Sequence, residues 1–515
     1  MLGAPRPGHH RAGELSTGEL KQHIDLTLML RSDLTARGHP TAHRDLVARW
    51  ASNAGVQVTG EDAVTRRLTV SGEADRLAGL FGVRLERFAL EARGNEREYR
   101  GFTGPVWLPA ALAGVVTGVF GLDDRPIARM HLRTLAQGRM PAIAYDPPHL
   151  AEIYRYPRLP NDGEGMELVA GMIELGGVTH PLDVALGFSR LGLEPPVIEN
   201  VWLDGVAPLP DPEGADVEVA LDYQVLGAMV MAMAPKARLT IVVYNAPNSE
   251  RGFIDAVATA AGDQRRRPAA VSISWGAPED HWSVQGMRAM DSAFAIGSRR
   301  GVTYSAAAGD AGSTNNETDR RQHAEFPASS PHVWACGGTT LIASDDRIVS
   351  ESVWNELDSG AGAAGSGVSR VFATPAYQSG AGLRPRSADD GLPGRGLPDG
   401  SGNADPLTGW NIVALRELRT TGGTSAVAPM YTALWTLLAG LRGEPLGAPH
   451  PMLYAAGGHG FNDVQAGNTG GPYVATKGWD LASGWGSPRG VDIAREMNVT
   501  APSVQVREVQ ERELA

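Results

Sequence analysis

Four short apolar runs, Leu168–Ile173, Leu239–Val243, Ala270–Ser274 and Val302–Ala307, are each bounded by turn-forming residues. Runs of this length without polar alternation read as strands buried on both faces, the habit of parallel sheets. Stretches with helical spacing lie between several of them. The most apolar is Val217–Pro235, VEVALDYQVLGAMVMAMAP. This alternation predicts an α/β unit, a mostly parallel sheet with helices on both faces, running from about Ala144 to Val499. Upstream the pattern differs. Ile24–Leu30, Thr65–Val70 and Val83–Leu90 read as strands and His43–Ala54 and Glu73–Phe81 as helices, which makes a smaller α+β unit over residues 1–126. Residues 127–143 join the two. Ile127–Pro141, with Arg129, Arg133 and Arg139, lacks clear periodicity and reads as an exposed linker open to cleavage. Asp358–Gly367 is rich in Gly, Ala and Ser, and Ser379–Gly402 in Gly, Pro and Arg. Both read as long surface loops able to border a cleft. The charged tail, 500–515, reads as poorly ordered, and no internal repeat is present.

Candidate chemistry lies where these elements begin and end. In Thr420-Thr421-Gly422-Gly423-Thr424-Ser425-Ala426-Val427-Ala428-Pro429, two glycines and a threonine bring Ser425 to the start of an apolar helix. Unpaired N–H groups and the positive dipole end there stabilise negative charge on a substrate oxygen. Pro429 falls early in the helix, where a missing N–H costs little. A Gly-rich loop before a buried helix explains the same stretch equally well. Glu218 and Asp222, four residues apart, share one helix face, and their repulsion favours keeping a proton on one of them. A solvated polar stripe is the plainer account of such a pair taken alone. In Val302–Gly312, a run of small residues ends in a Gly-Asp-x-Gly turn. Asp310 is thereby placed at a strand's carboxyl end, where open α/β sheets gather ligands. A turn aspartate bonded to its own backbone is the alternative.

Together GGTSAVAP, EVALD and SAAAGDAG resemble the sedolisin family of serine-carboxyl peptidases, and most of all its kumamolisin branch. MIELGG (Met172–Gly177), SISWGAPE (Ser272–Glu279), VWNE (Val353–Glu356), GSGVSRVF (Gly365–Phe372) and the Asp463–Pro488 region also match, so the likeness spans nearly the whole chain. The resemblance implies a subtilisin-like sheet preceded by a propeptide that assists folding and blocks the active site. It implies an endopeptidase acting on polypeptides through an acyl-enzyme. Ser425 falls on the nucleophile, Glu218 on the general base, Asp222 on the acid that orients it, and Asp310 on the acid of the oxyanion hole. Glu174 and Trp275 fall on hydrogen-bonding groups linked to the triad acids. A carboxylate base works in acid, where an imidazole is already charged, and Asp310 donates a hydrogen bond only while protonated. The implied enzyme is therefore acid-acting. Phe461-Asn462-Asp463-Val464 and Lys477-Gly478-Trp479-Asp480 resemble the family's calcium loop. The resemblance assigns one structural Ca2+ to the carboxylates of Asp463 and Asp480 and the carbonyl oxygens of Val464, Thr476 and Gly478, with Thr476 standing where many relatives have glycine. An extracellular location is implied too, although MLGAPRPGHHRAGELS holds no apolar signal core.

Composition narrows the rest. A net charge of −12 argues against nucleic acid as a partner. No stretch has the length of a membrane-spanning helix, and Pro109–Leu122 is short and interrupted by glycines. The one cysteine, Cys336, excludes an intrachain disulfide and reads as a small buried strand residue. A monomer is expected, since nothing calls for a partner. Two other readings stand beside the acid peptidase. One is a catalytically silent relative that binds peptides or proteins with its leader held in place. The other is a subtilisin-type enzyme using one of the 13 histidines as a base near neutral pH, although no H-G-T-H, G-x-S-x-G, H-E-x-x-H or Walker A motif is present.

Overall fold

Eight strands form the central sheet, in the order Val197–Trp202, Arg238–Asn245, Glu167–Glu174, Ala270–Ile273, Thr303–Ala307, Trp334–Ser344 and Arg347–Val353, with Gly400–Asn403 also on Trp334–Ser344. A computed structural model describes residues 9–31, 41–92, 95–134, 141–203, 210–212 and 214–499. Every pair is parallel except the last hairpin, Trp334–Ser344 with Arg347–Val353. The alternation of side chains along a strand feeds two cores. Ile241 and Val243 join one core with Leu221 and Leu434, while Val242 and Tyr244 join the other with Phe253 and Phe294.

On the first face lie two packed helices, Ala215–Met233 and Thr424–Arg442. Only Ala232 of the first escapes full burial, which is why its sequence is apolar all round. Glu250–Gly262 and Val284–Arg299 cover the second face, each started by a serine, Ser249 or Ser283, that accepts a backbone N–H.

The N-terminal unit has its own core, including Leu26, Leu28, Val70 and Phe81. It combines a four-stranded antiparallel sheet, ordered Gln57–Asp62, Arg67–Glu73, His23–Leu30 and Val116–Phe120, with a three-stranded one of His9–Glu14, Leu85–Ala92 and Asn95–Phe102. The expected strands and helices are present within a few residues, at His23–Leu30, Thr41–Ala54, Arg67–Glu73, Ala74–Leu80 and Leu85–Ala92. The four-stranded sheet rests on Glu250–Gly262 and Val284–Arg299. Arg67 crosses this joint, reaching Asp255 Oδ1 at 2.6 Å and Asp62 Oδ2 at 2.9 Å, and Thr27 Oγ donates to Asp255 at 2.8 Å.

Three expectations need correction. Ile127–Thr134 is not an exposed linker, because Ile127 and His131 are buried and the segment pairs with the main unit as short strands. Gly362–Val368 is buried, not a surface loop, and hydrogen-bonds the Asp310 turn. A Cβ at Gly365 would collide with the Ala308 carbonyl, so its glycine serves close packing. Most of Gly394–Gly402 is likewise interior, with Gly400–Asn403 a strand of the central sheet. Cys336 is buried as expected. The tail, 500–515, and residues 135–140 of the linker lie outside the described residues. Among those described, no helix is long and apolar enough to cross a membrane.

Candidate active site

The two central helices bring the candidate side chains together. Ser425 is the second residue of Thr424–Arg442, and Glu218 and Asp222 are the fourth and eighth residues of Ala215–Met233. Asp310 follows Thr303–Ala307 at the sheet's carboxyl edge, and Glu174 ends Glu167–Glu174 at the same edge, with Ala270–Ile273 between the two strands. Glu174, Glu218, Asp222 and Ser425 are wholly buried, and Asp310 is nearly so.

Local sequence explains much of the placement. Pro429 has no N–H, so the Ser425 carbonyl loses its partner four residues on. Ser274 Oγ lies 3.3 Å from that carbonyl and gives its stronger bonds to Asp222, 2.8 Å from each oxygen. Gly423 has φ +95°, and a Cβ there would strike the Asp310 carboxylate. Asp310 Oδ1 accepts from Thr424 N–H at 2.7 Å and Thr424 Oγ at 2.8 Å, while Oδ2 has no hydrogen-bond partner. Trp275 Nε1 donates to Glu174 Oε2 at 2.9 Å.

Four acids in one dry place perturb one another. Burial raises Glu218 well above the usual range, the neighbouring Asp222 charge raises it further, and the adjacent Ser425 hydroxyl partly opposes this. Asp222 is raised by burial against the Ser274 hydrogen bonds, and Glu174 by burial and then by Asp222. The group therefore retains protons that exposed carboxyls would lose. Asp310 is also raised by burial, against the pull of Arg133 and His131. Ser425 lies close enough to Glu218 to temper its shift but makes no well-formed hydrogen bond to it. Its hydroxyl makes one long contact, 3.5 Å to the Ser274 carbonyl, and neither Glu218 oxygen has a hydrogen-bond partner. Catalytic hydrogen bonds are often loose until the reacting complex forms.

The chain following the N-terminal unit runs through this site. Asn248 takes Ile127 N–H and Ala128 N–H on its Oδ1, both at 3.0 Å, and donates to the Ala128 carbonyl at 2.7 Å. Arg129–Met130 then pairs antiparallel with Trp275 and Gly276. His131 N–H donates to the Ser274 carbonyl at 3.1 Å, and the His131 carbonyl accepts from Ser425 N–H at 3.1 Å. Arg133–Thr134 pairs with Thr421 and Gly422 on the opposite rim. The His131 ring, buried, lies 2.8 Å from Glu325 Oε1. Burial would raise Glu325, but His131 and then Arg129 outweigh it and hold the carboxyl below its ordinary range. Arg129 donates to the Asn315 carbonyl at 3.1 Å, and the Asn315 amide donates to Glu325. Arg133 Nη2 donates to the Asp310 carbonyl at 2.9 Å, with its Nε 3.5 Å from Asp310 Oδ2. The open remainder of the cleft holds about 1180 Å3 and is walled by residues of both units, among them Arg97, Tyr99, Asp211 and Trp275.

All six residues expected at the centre thus gather there, while His131, Ser274, Asn315 and Glu325 were not foreseen. The histidine at the centre turns its ring to Glu325, and only its main chain meets Ser425. The expected calcium residues lie elsewhere. Asp463 accepts from Gly478 N–H at 3.1 Å, and Asp480 from Thr476 N–H at 2.6 Å, Ala482 N–H at 2.9 Å and Ser483 N–H at 2.8 Å. Among the described residues no group of three or more metal-binding side chains forms.

Comparison with known proteins bears on this arrangement. Residues 21–125 match the family model "Pro-kumamolisin, activation domain". Kumamolisin of Bacillus sp. (strain MN-32) is 40% identical over 475 residues, 89% of this chain and 84% of that protein. Sedolisin of Pseudomonas sp. (strain 101) is 30% identical over 483 residues, 87% of this chain and 77% of the other. Among solved structures, a Pseudomonas sedolisin, a serine-carboxyl proteinase complexed with two molecules of pseudo-iodotyrostatin, is similar with TM-score 0.60 and 28% identity, over 70% of this chain and 98% of that one.

Proposed function

Since the chain belongs to the sedolisin family of serine-carboxyl peptidases and carries that family's activation domain, we propose that it is an acid-acting endopeptidase that releases itself by cutting its own leader. The observation that carries this reading is the seat of His131. Its N–H is held by the Ser274 carbonyl and its carbonyl oxygen by Ser425 N–H. That is how a substrate's acyl residue must lie for attack, with the oxygen on a donor at a helix N-terminus. The bond presented is His131–Leu132.

In the proposed cycle Ser425 Oγ attacks the His131 carbonyl carbon and its proton passes to Glu218. Protonated Asp310 and Ser425 N–H hold the tetrahedral oxygen. Collapse breaks the C–N bond, Glu218 returns the proton to the Leu132 amine, and water releases the acyl group by the same path. Asp222, anchored by Ser274, steadies Glu218. Activity requires Glu218 ionised and Asp310 protonated together, so the pH–rate profile is a bell set by two carboxyl groups. Glu325 at the pocket floor favours a basic residue before the cut bond. The enzyme acts outside the cytoplasm as a monomer on polypeptides in general.

We also propose a stabilising calcium ion. Asp463 and Asp480, with the carbonyl oxygens of Val464, Thr476 and Gly478, make an all-oxygen donor set of the kind this ion prefers. Both carboxylates accept main-chain N–H groups in this structure, Asp463 from Gly478 and Asp480 from Thr476, Ala482 and Ser483, and would turn from them to hold the ion. When bound it would cross-link the 461–464 and 476–480 segments.

The test is incubation of the purified parent and Ser425→Ala chains from acid to mildly alkaline pH, followed by mass measurement. Scission at His131–Leu132 in acid by the parent alone is expected, followed by digestion of a denatured protein. Inertness of both chains at every pH would leave the peptide-binding alternative, and processing only near neutrality would favour a histidine base.

A further inference from the structure

The second residue after the seated bond is Arg133, and it sits on the very acid that the reaction needs. Its Nη2 donates to the Asp310 carbonyl at 2.9 Å, and its Nε lies 3.5 Å from Asp310 Oδ2. The Nε is inaccessible to water and makes no hydrogen bond, so the Asp310 carboxylate is its nearest charged neighbour, although the side chain as a whole is 33% exposed. Its main chain is fixed by pairing with Gly422, two residues before Thr424, whose N–H and Oγ grip the other Asp310 oxygen. Backbone position and guanidinium contact therefore come together, and any extended peptide in the same register delivers its own side chain to the same place.

We infer that Asp310 doubles as a binding subsite for a cationic side chain, arginine above all, at the second position after the cut bond, and that a cation bound there opposes catalysis by holding Asp310 in its charged form. The inference rests on the reading of His131–Leu132 as the bond presented to Ser425.

The physical chain is short. A guanidinium beside a carboxyl stabilises the carboxylate over the acid. The carboxylate binds the arginine well but cannot donate to an oxyanion, so the better-bound form is the unreactive one. The other charged groups facing Asp310 do not alter this sense. His131 also favours the carboxylate, and Glu218 across the site disfavours a second negative charge. In the proenzyme the leader's own Arg133 thus works against the proton that burial favours on Asp310, and less acid is needed for processing without it. In the mature enzyme a substrate's arginine would do the same in trans. Substrates of one length would then differ in pH dependence according to a residue that takes no part in the chemistry.

Citrulline isolates the charge, since it keeps the shape of arginine and its N–H donors. The processed enzyme would be given two peptides that share one sequence around the cut bond and differ only by arginine or citrulline at the second position after it. Opposite charges at this range lower a carboxyl pKa by about one to three units. Partial exposure of Arg133 points to the low end of that range, an effect of about tenfold on the ratio. The arginine-to-citrulline ratio of kcat should therefore fall about tenfold from strong acid to the upper end of the active range. The same ratio for kcat/KM should stay flat, because kcat/KM reports the free enzyme, where no substrate cation is present. KM for the arginine peptide must fall over the same interval. In cis, Arg133→Gln proenzyme should process itself up to about tenfold faster than the parent at the upper end and equally fast in strong acid. A kcat ratio independent of pH, or coincident processing rates for the two proenzymes, overturns this inference and leaves the peptidase reading intact. Failure to cut either peptide at any pH overturns the peptidase reading itself.

Discussion

Ser274 offers the sharpest separation of chemistry from packing, because its side chain and main chain do different jobs. Its hydroxyl lies 2.8 Å from each Asp222 oxygen and is the only hydrogen-bond donor to that carboxyl among the described residues. Its carbonyl holds His131 N–H and receives the long Ser425 hydroxyl contact. Ser274→Ala removes the first function and leaves the second. The cavity created is one oxygen atom, so the cost arises from Asp222, wholly buried and left unpaired. An unsatisfied buried acceptor costs about 1–3 kcal/mol. If the same interaction steadies Asp222 against Glu218 during proton transfer, kcat falls by roughly 5- to 150-fold. KM should scarcely move, since the substrate-binding carbonyl is untouched. Steady-state kinetics on a basic peptide would give the kinetic half. Denaturant unfolding of Ser425→Ala chains with and without the second substitution, protected from self-digestion, would give the stability half. Ser274→Thr restores the hydroxyl and should recover most of both. Unchanged kcat together with an unchanged unfolding midpoint would refute the argument. A raised KM at constant kcat would show that the carbonyl had moved and that the side chain does not act through Asp222.

Glu325→Gln should lower kcat/KM after arginine or histidine by about tenfold, one charged contact at about 1.4 kcal/mol, with far less effect after leucine, as a peptide panel would show. In the pH dependence of stability, Glu174, Glu218 and Asp222 all bind protons more tightly folded than unfolded. Their contribution is complete below the ordinary carboxyl range, about pH 4, and is lost as pH rises toward their raised values. Ser425→Ala proenzyme should therefore unfold at lower temperature at pH 7 than at pH 4, and Glu174→Gln should flatten that slope. Chelation with EDTA should lower the unfolding temperature of the same chain, by the equivalent of about 2.7 kcal/mol if calcium had been at a hundred times its dissociation constant. Asp463→Asn with Asp480→Asn should abolish the difference, and an unmoved transition in the parent would remove the ion from the account.

What could be read from sequence and what could not divides along the range of the interactions concerned. The helix Ala215–Met233 was legible because it is buried on all sides and so apolar all round, which left Glu218 and Asp222 conspicuous. Ser425 was legible because a helix start next to paired glycines is a local event. The strand at Arg129–Thr134 was not. Its partners are Trp275, Gly276, Thr421 and Gly422, all more than 140 residues away in the chain, and a few residues of alternation cannot be told from a linker. Glycine misled in the opposite direction. At 362–367 and 394–402 its abundance suggests a loop, whereas most of it serves close approach, as at Gly365 against the Ala308 carbonyl. Ser274 shows the hardest case. Its hydroxyl matters only because Asp222 arrives from a helix more than 50 residues upstream, and its neighbour, the Ser425 carbonyl, lacks a helical partner only because Pro429 lies four residues further on. Each fact is plain in the sequence, and their meeting is created by the fold. The same holds for Arg133 on Asp310, so in this chain the residues that tune the reaction are harder to read than those that perform it.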